Sequence, residues 1–192
     1  MNMTKRLKAA LITLGLFLFL LAGWLKLSDS YSTDKLPDSF EVMSFLENNH
    51  FVDLPNFKLY DLKSEAVDLS ELPKDKVYIL NFWASWCDPC AEEFPSMVKL
   101  VKAYPKDVII LAVTNDSEKK DIEVFAKAFD LDKHPNIRIY WDKDRRLANL
   151  FKVEKLPDSF VFNRQGRLDR KVVGTRDWAT PDAMSYFKTL TQ

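Results

Sequence analysis

The sequence predicts an α/β fold, a mixed β-sheet covered by helices, and three observations carry that prediction. Residues 77–83 and 108–113 are almost unbroken apolar runs rich in β-formers. Strands buried on both faces, as in parallel sheets, read this way because neither face meets water. Residues 89–104 between them place Phe94, Met97, Val98 and Val101 at helical spacing, which completes a strand–helix–strand unit. Finally, the segments flanking this unit alternate apolar and polar residues around turn-forming clusters, the pattern of antiparallel hairpins.

Taken in order, the chain begins with Lys5, Arg6 and Lys8, then 17 uncharged residues at 9–25, then Lys26. A helix of that length covers most of a hydrocarbon core about 30 Å thick. The basic flank places its N-terminus in the cytoplasm, and Trp24 falls at an interfacial depth. Residues 1–27 are therefore expected to form one transmembrane helix, an uncleaved signal anchor. A cleaved signal peptide is the competing reading, but its apolar stretch is usually shorter, and Ala22-Gly23-Trp24 is a poor cleavage site. Residues 28–48 read as a polar tether and 49–192 as the folded domain, exported from the cytoplasm. Lys-Leu-Pro-Asp-Ser-Phe occurs at both 35–40 and 155–160, in surroundings too unlike for an internal repeat.

Within the domain, 57–62 and 66–69 alternate around Lys63-Ser64-Glu65, a hairpin expected at a sheet edge. After the second core strand, residues 117–129 align Ile122, Phe125, Ala126 and Phe129 on one helical stripe. A strand is expected over 137–141 and a short helix over 145–151. Residues 160–162 and 168–173 flank Asn163-Arg164-Gln165-Gly166 as a second hairpin. Thr180-Pro181 starts the last helix, with a hydroxyl N-cap and proline at the first helical position.

Composition excludes several functions. Lys and Arg number 28 against 28 Asp and Glu, which gives no electrostatic reason for a nucleic-acid partner. Four of those basic residues precede Asp29, so the remainder carries 24 basic against 28 acidic side chains. An apolar share of 47% is too high for a disordered chain. Two cysteines cannot build a multi-bridge scaffold or a four-thiolate zinc site, and His50 and His134 stand near no other ligand in sequence. No metal site and no cofactor is expected.

Both cysteines lie in Trp86-Cys87-Asp88-Pro89-Cys90, after a buried strand and at the start of a helix. There the free backbone N–H groups and the positive end of the helix dipole favour a thiolate on Cys87. Lowering a thiol pKa from about 8.5 to about 7 requires about 2 kcal/mol, within reach of those effects together. Cys90, one turn further in, suits the resolving thiol. Covalent haem attachment would need histidine at 91, where Ala91 stands. A CxxC beside a βαβ pattern reads as a redox pair.

The run Leu80-Asn81-Phe82-Trp83-Ala84-Ser85-Trp86-Cys87-Asp88-Pro89-Cys90, continued by Glu93-Phe94-Pro95, resembles the thioredoxin superfamily, and more narrowly its membrane-anchored extracytoplasmic TlpA/ResA type. The resemblance covers about residues 53–190. It implies a thioredoxin fold with an N-terminal β-hairpin and a central α/β insertion, here about 117–152. It also implies a cis-proline facing the disulfide, which falls on Pro157; from the residues alone an ordinary trans turn proline is the reading, since cis occurs in about 5–6% of X–Pro bonds. Catalytic roles fall on Cys87, Cys90, Glu93 and Pro157, and substrate contacts on Trp86, Asp88, Pro89 and Leu156. Asn81 occupies the position of a buried aspartate in cytoplasmic thioredoxins. Glu93 matches an acidic position of the ResA-like members and either manages the proton on Cys90 or, with Glu92, complements the helix N-terminus. Pro95 is expected to kink this helix.

Carboxylates at Asp88 and Asp158 are expected to disfavour the Cys87 thiolate, which fits a reductant better than a strong oxidant. The resemblance thus implies a membrane-tethered reductase of protein disulfides, such as those of apocytochrome c, fed by a membrane thiol carrier. A Cu(I) metallochaperone using the same two sulfurs, with help from Met97, is the alternative. A peroxidase is disfavoured because the usual peroxiredoxin signature does not precede the cysteine.

Overall fold

The computed structural model describes residues 54–55 and 57–192. The expected signal anchor and tether lie outside the described residues, among which no helix is long and apolar enough to cross a membrane. Chain order runs β1 (Lys58–Tyr60), β2 (Ala66–Asp68), β3 (Val77–Trp83), α1 (Asp88–Ala103), β4 (Val108–Thr114), α2 (Lys119–Ala128), β5 (Ile137–Trp141), α3 (Arg146–Leu150), β6 (Asp158–Phe162), β7 (Leu168–Val173) and α4 (Pro181–Leu190).

Five strands form the main sheet in the order β5-β4-β3-β6-β7. β3 runs parallel to β4, and β4 to β5, while β6 is antiparallel to both β3 and β7. Successive side chains of a strand point to opposite faces, and β3 is covered on both. Val77, Ile79 and Trp83 pack on Phe94, Met97 and Leu100 of α1, Ile122 and Phe125 of α2 and Phe187 of α4. Tyr78, Leu80 and Phe82 pack on Leu147 and Ala148 of α3, on Phe151 and on Leu59 of β1. That double coverage explains the continuous apolar run in the sequence.

The segment between β4 and β6 splits across the sheet, with α2 on the first face and α3 on the second, and supplies the edge strand β5. The N-terminal hairpin lies at a sheet edge as expected, β1 and β2 forming a separate two-stranded sheet joined to edge strand β5 through a bridge between Asp61 and Tyr140. Strand β6 begins at Asp158, two residues earlier than its apolar run, because pairing with Phe82 of β3 starts directly after Pro157. The opposite edge strand, β7, carries exposed Asp169, Arg170 and Lys171 in succession. In the β6–β7 turn, Asn163 Oδ1 accepts from the N–H groups of Gln165 and Arg167, and Gly166 takes φ +77°, where a side chain would be strained.

Candidate active site

The redox pair sits where β3 gives way to α1. After Trp83 the chain makes a tight turn closed by the Cys87 N–H on the Ala84 carbonyl at 3.2 Å. Cys87 is the N-cap of α1: its backbone is extended (φ −93°, ψ 97°), and its Sγ accepts from the Cys90 N–H at 3.3 Å. Asp88 and Pro89 occupy the first turn, where an acid and a proline are both suited. Cys87 and Cys90 form a disulfide with Cα atoms 5.3 Å apart. Cys87 keeps 6% exposure and Cys90 none, so an incoming group meets Cys87 first. Around it, Trp86 (67% exposed), Asp88 and Pro89 face solvent.

A buried aspartate that sequence reasoning passed over holds the turn. Asp116, just beyond the end of β4, accepts from the Ser85 N–H at 2.9 Å and from the Ser85 hydroxyl at 2.6 Å. The Thr114 hydroxyl also donates to it, and its own carbonyl accepts from the Trp141 indole at 2.7 Å. Ser85 lies inside the turn that delivers Cys87, so Asp116 fixes the position of that turn.

Behind Cys90 lies a second buried polar cluster. Glu93 follows Cys90 by three residues, on the same face of α1, and is 2% exposed. Its Oε1 accepts from the Trp178 indole N–H at 2.6 Å and the Arg176 N–H at 3.3 Å, and its Oε2 accepts from Asn81 Nδ2 at 3.3 Å. Asn81 also donates to the Ser159 hydroxyl at 2.9 Å. Burial pushes the Glu93 carboxyl up to about 7, with the Trp178, Arg176 and Asn81 hydrogen bonds opposing. Glu93 is thus buried near the start of α1, whereas Glu92 beside it is exposed. Helix α1 continues through Pro95, whose missing N–H leaves the Ala91 carbonyl without its helical donor.

The Leu156–Pro157 peptide is cis, and Pro157 is buried. One connector, residues 174–178 between β7 and α4, stitches this loop to the redox helix. The Gly174 N–H donates to the Pro157 carbonyl at 2.9 Å, and the Thr175 hydroxyl reaches the Pro89 carbonyl at 3.4 Å. The Trp178 N–H donates to Ser96 Oγ at 3.0 Å. Leu156, half-buried, packs against both core clusters.

Asp158 is buried and paired with Lys171 at 3.1 Å, and burial raises its carboxyl above the usual range, with Lys171 opposing. One sequence expectation needs revision. Met97 is fully buried in the core, seven residues or about 10 Å along α1 from Cys90, so it is not placed to share a copper ion with the two sulfurs. Among the described residues, no three His, Cys, Asp or Glu side chains converge as a metal site.

A thioredoxin-type sheet, a disulfide at a helix N-terminus and a cis-proline loop stitched to that helix define a thiol–disulfide oxidoreductase. Comparisons with known proteins agree. The AhpC/TSA family profile matches residues 52–171, and the chain belongs to that family of the thioredoxin superfamily. Among curated relatives, the thiol-disulfide oxidoreductase ResA of Bacillus subtilis (strain 168) is 34% identical over 124 residues, 64% of this chain and 66% of that protein. ResA of Geobacillus kaustophilus is 36% identical over 122 residues, 63% and 67%. The match thus spans about two thirds of the length of these relatives. A solved chain described as a thiol:disulfide interchange protein DsbE, from Chlorobium tepidum, superposes with a TM-score of 0.59 at 28% identity, over 74% of this chain and 94% of that one. StoA from Bacillus subtilis, at 24% identity and TM-score 0.53 over 71% and 96%, shares the fold.

Proposed function

We propose that this protein is a membrane-tethered thiol–disulfide reductase acting on protein disulfides outside the cytoplasm, with apocytochrome c as the substrate type the family resemblance implies. The observation that carries the reading is the asymmetry of the disulfide: Cys87 at the solvent boundary on a helix N-cap, Cys90 buried on the face of Glu93.

In the reduced protein, the Cys87 thiolate attacks one sulfur of a substrate disulfide. That bond breaks, a mixed disulfide forms, and the departing substrate thiolate takes a proton from water. Cys90 then gives its proton to the Glu93 carboxylate and attacks Cys87 Sγ. The Cys87–Cys90 bond closes, and the second substrate sulfur leaves as a thiolate that takes a proton from water. Two electrons pass from the protein dithiol to the substrate, and a dithiol carrier in the membrane returns them. The N-cap N–H groups and the dipole of α1 favour the thiolate that starts the sequence. The exposed Trp86, Asp88 and Pro89, with Leu156 and Pro157, supply the substrate contact surface.

Equilibrating the full-length protein with defined thiol buffers and reading the Cys87–Cys90 couple tests the direction of flux. A potential near that of thioredoxin, about −270 mV, is expected for a reductase. A value near about −120 mV, that of a strong oxidant, would overturn it.

A further inference from the structure

We propose that Trp178 is a positioning residue of the redox site, its indole N–H holding the Glu93 carboxylate in the orientation from which Glu93 exchanges a proton with Cys90. The inference rests on the reading of Glu93 given above. Trp178 lies 85 positions from Glu93 and is 1% exposed, yet it turns its ring nitrogen onto Oε1 at 2.6 Å while its backbone N–H caps Ser96 Oγ at 3.0 Å on the same helix. Ser96 in turn donates to the Glu93 carbonyl at 2.7 Å. One residue of the connector therefore grips α1 twice around Glu93.

Hydrophobic packing alone does not require this. Trp178 contacts Phe187 with ring centroids 6.0 Å apart, a contact phenylalanine could also make, whereas only the indole supplies the donor. The polar groups facing Glu93 are Asn81 from β3, Ser159 from β6 through Asn81, Cys90 and Ser96 from α1, and the Arg176 N–H from the connector, whose side chain is exposed. Asp158 and Lys171 form their pair on the other face of the sheet, beside Phe160. The Trp178 hydrogen bond is thus the shortest stabiliser of a carboxylate that, among the described residues, has no cation paired with it.

The test follows Cys90 attack directly. Reduced full-length protein is reacted with Ellman's reagent, which loads thionitrobenzoate on Cys87. Cys90 then closes the disulfide and expels the coloured thiolate, and the rate of that second release is recorded against pH. In the wild type it should follow an ionisation near 7, and Glu93→Gln should remove that ionisation. Trp178→Phe removes a hydrogen bond to a charged group, so the ionisation should move up by about one to two pH units, with release at pH 7 slower by about fivefold to fiftyfold. Benzothienylalanine at position 178, where sulfur replaces the N–H in a ring of nearly the same shape, should give the same displacement with the core filled. If Glu93→Gln removes the ionisation but the benzothienyl variant leaves it in place, the role assigned to Trp178 is wrong and Glu93 keeps its own. A profile unchanged in Glu93→Gln would instead bring down the reading of Glu93, and the proposal with it.

Discussion

Cys87 and Cys90 belong to one disulfide, yet their supports differ in kind. The Cys87 side is a surface turn: Trp86, Asp88 and Pro89 project outward, and the turn is pinned from below by a single carboxylate, Asp116, through Ser85. The Cys90 side is a buried interior in which Glu93 bonds to Asn81 and Trp178, and Asn81 to Ser159. On the proposed reading, position is controlled on the first side and protonation on the second. A thiol that must meet large partners needs a fixed, open mount. A thiol that acts only on its neighbour needs a base, and a buried carboxyl held near 7 is one suited to neutral pH.

The strongest way to break the comparison is to remove one thiol at a time. Cys90→Ser should leave attack by Cys87 intact and stall the reaction as a covalent adduct with the substrate, visible on a non-reducing gel, while turnover falls to background. Adducts forming equally well in Cys87→Ser would mean that the two thiols are not divided as described.

A smaller effect is expected from the mount. Asp116→Ala leaves the Ser85 N–H and hydroxyl without their acceptor, and losing buried partners costs about 1–3 kcal/mol each before water repairs the gap. Urea unfolding of the oxidised protein should show a loss of that size. Reaction of Cys87 with substrate should slow, while the pH at which Cys90 releases thionitrobenzoate should stay in place. Movement of that ionisation would mean that the two supports are one.

The third prediction concerns stability against pH. Burial raises the Glu93 carboxyl from 4.5 to about 7, so the folded state holds this proton more tightly than the unfolded chain. The stabilisation is complete below about 4.5 and is lost as pH rises through about 7, a difference of about 3 kcal/mol. Asp142 and Asp158 are also raised by burial and slope the same way. The contrast between wild type and Glu93→Gln, unfolded in urea at pH 5 and pH 8, isolates Glu93. The variant should lose less stability between those two pH values, and equal slopes would place Glu93 closer to water than its 2% exposure indicates.

Much of this was legible in the sequence. The two central strands announced themselves because both faces of the sheet are covered, and the CxxC announced its chemistry because it joined a buried strand to a helix. Pro157 and Glu93 were found through resemblance to relatives. What escaped was long-range pairing. The hydrogen bonds of Glu93 to Trp178 and of Asn81 to Ser159 join residues 85 and 78 positions apart, and no local pattern couples them. Asp116 was passed over because an aspartate after a strand is ordinary turn chemistry unless its carboxylate points inward. The helix expected over 145–151 is present as α3, Arg146–Leu150, but its cap was obscured for a similar reason. Arg145 precedes it in the left-handed region, and the helix is capped by Asp142, whose carboxylate accepts from the Leu147 and Ala148 N–H groups at 3.1 and 2.8 Å.

The two edges of the main sheet are closed by different means, β5 by the bridge to the hairpin and β7 by Asp169, Arg170 and Lys171. An open strand edge is a template on which a second chain can add its own backbone, and interspersed charges discourage that addition. Were this protein confined to a membrane plane, its copies would meet at high local concentration, and an unguarded β7 would invite them to stack edge to edge. The charged edge works against such self-association.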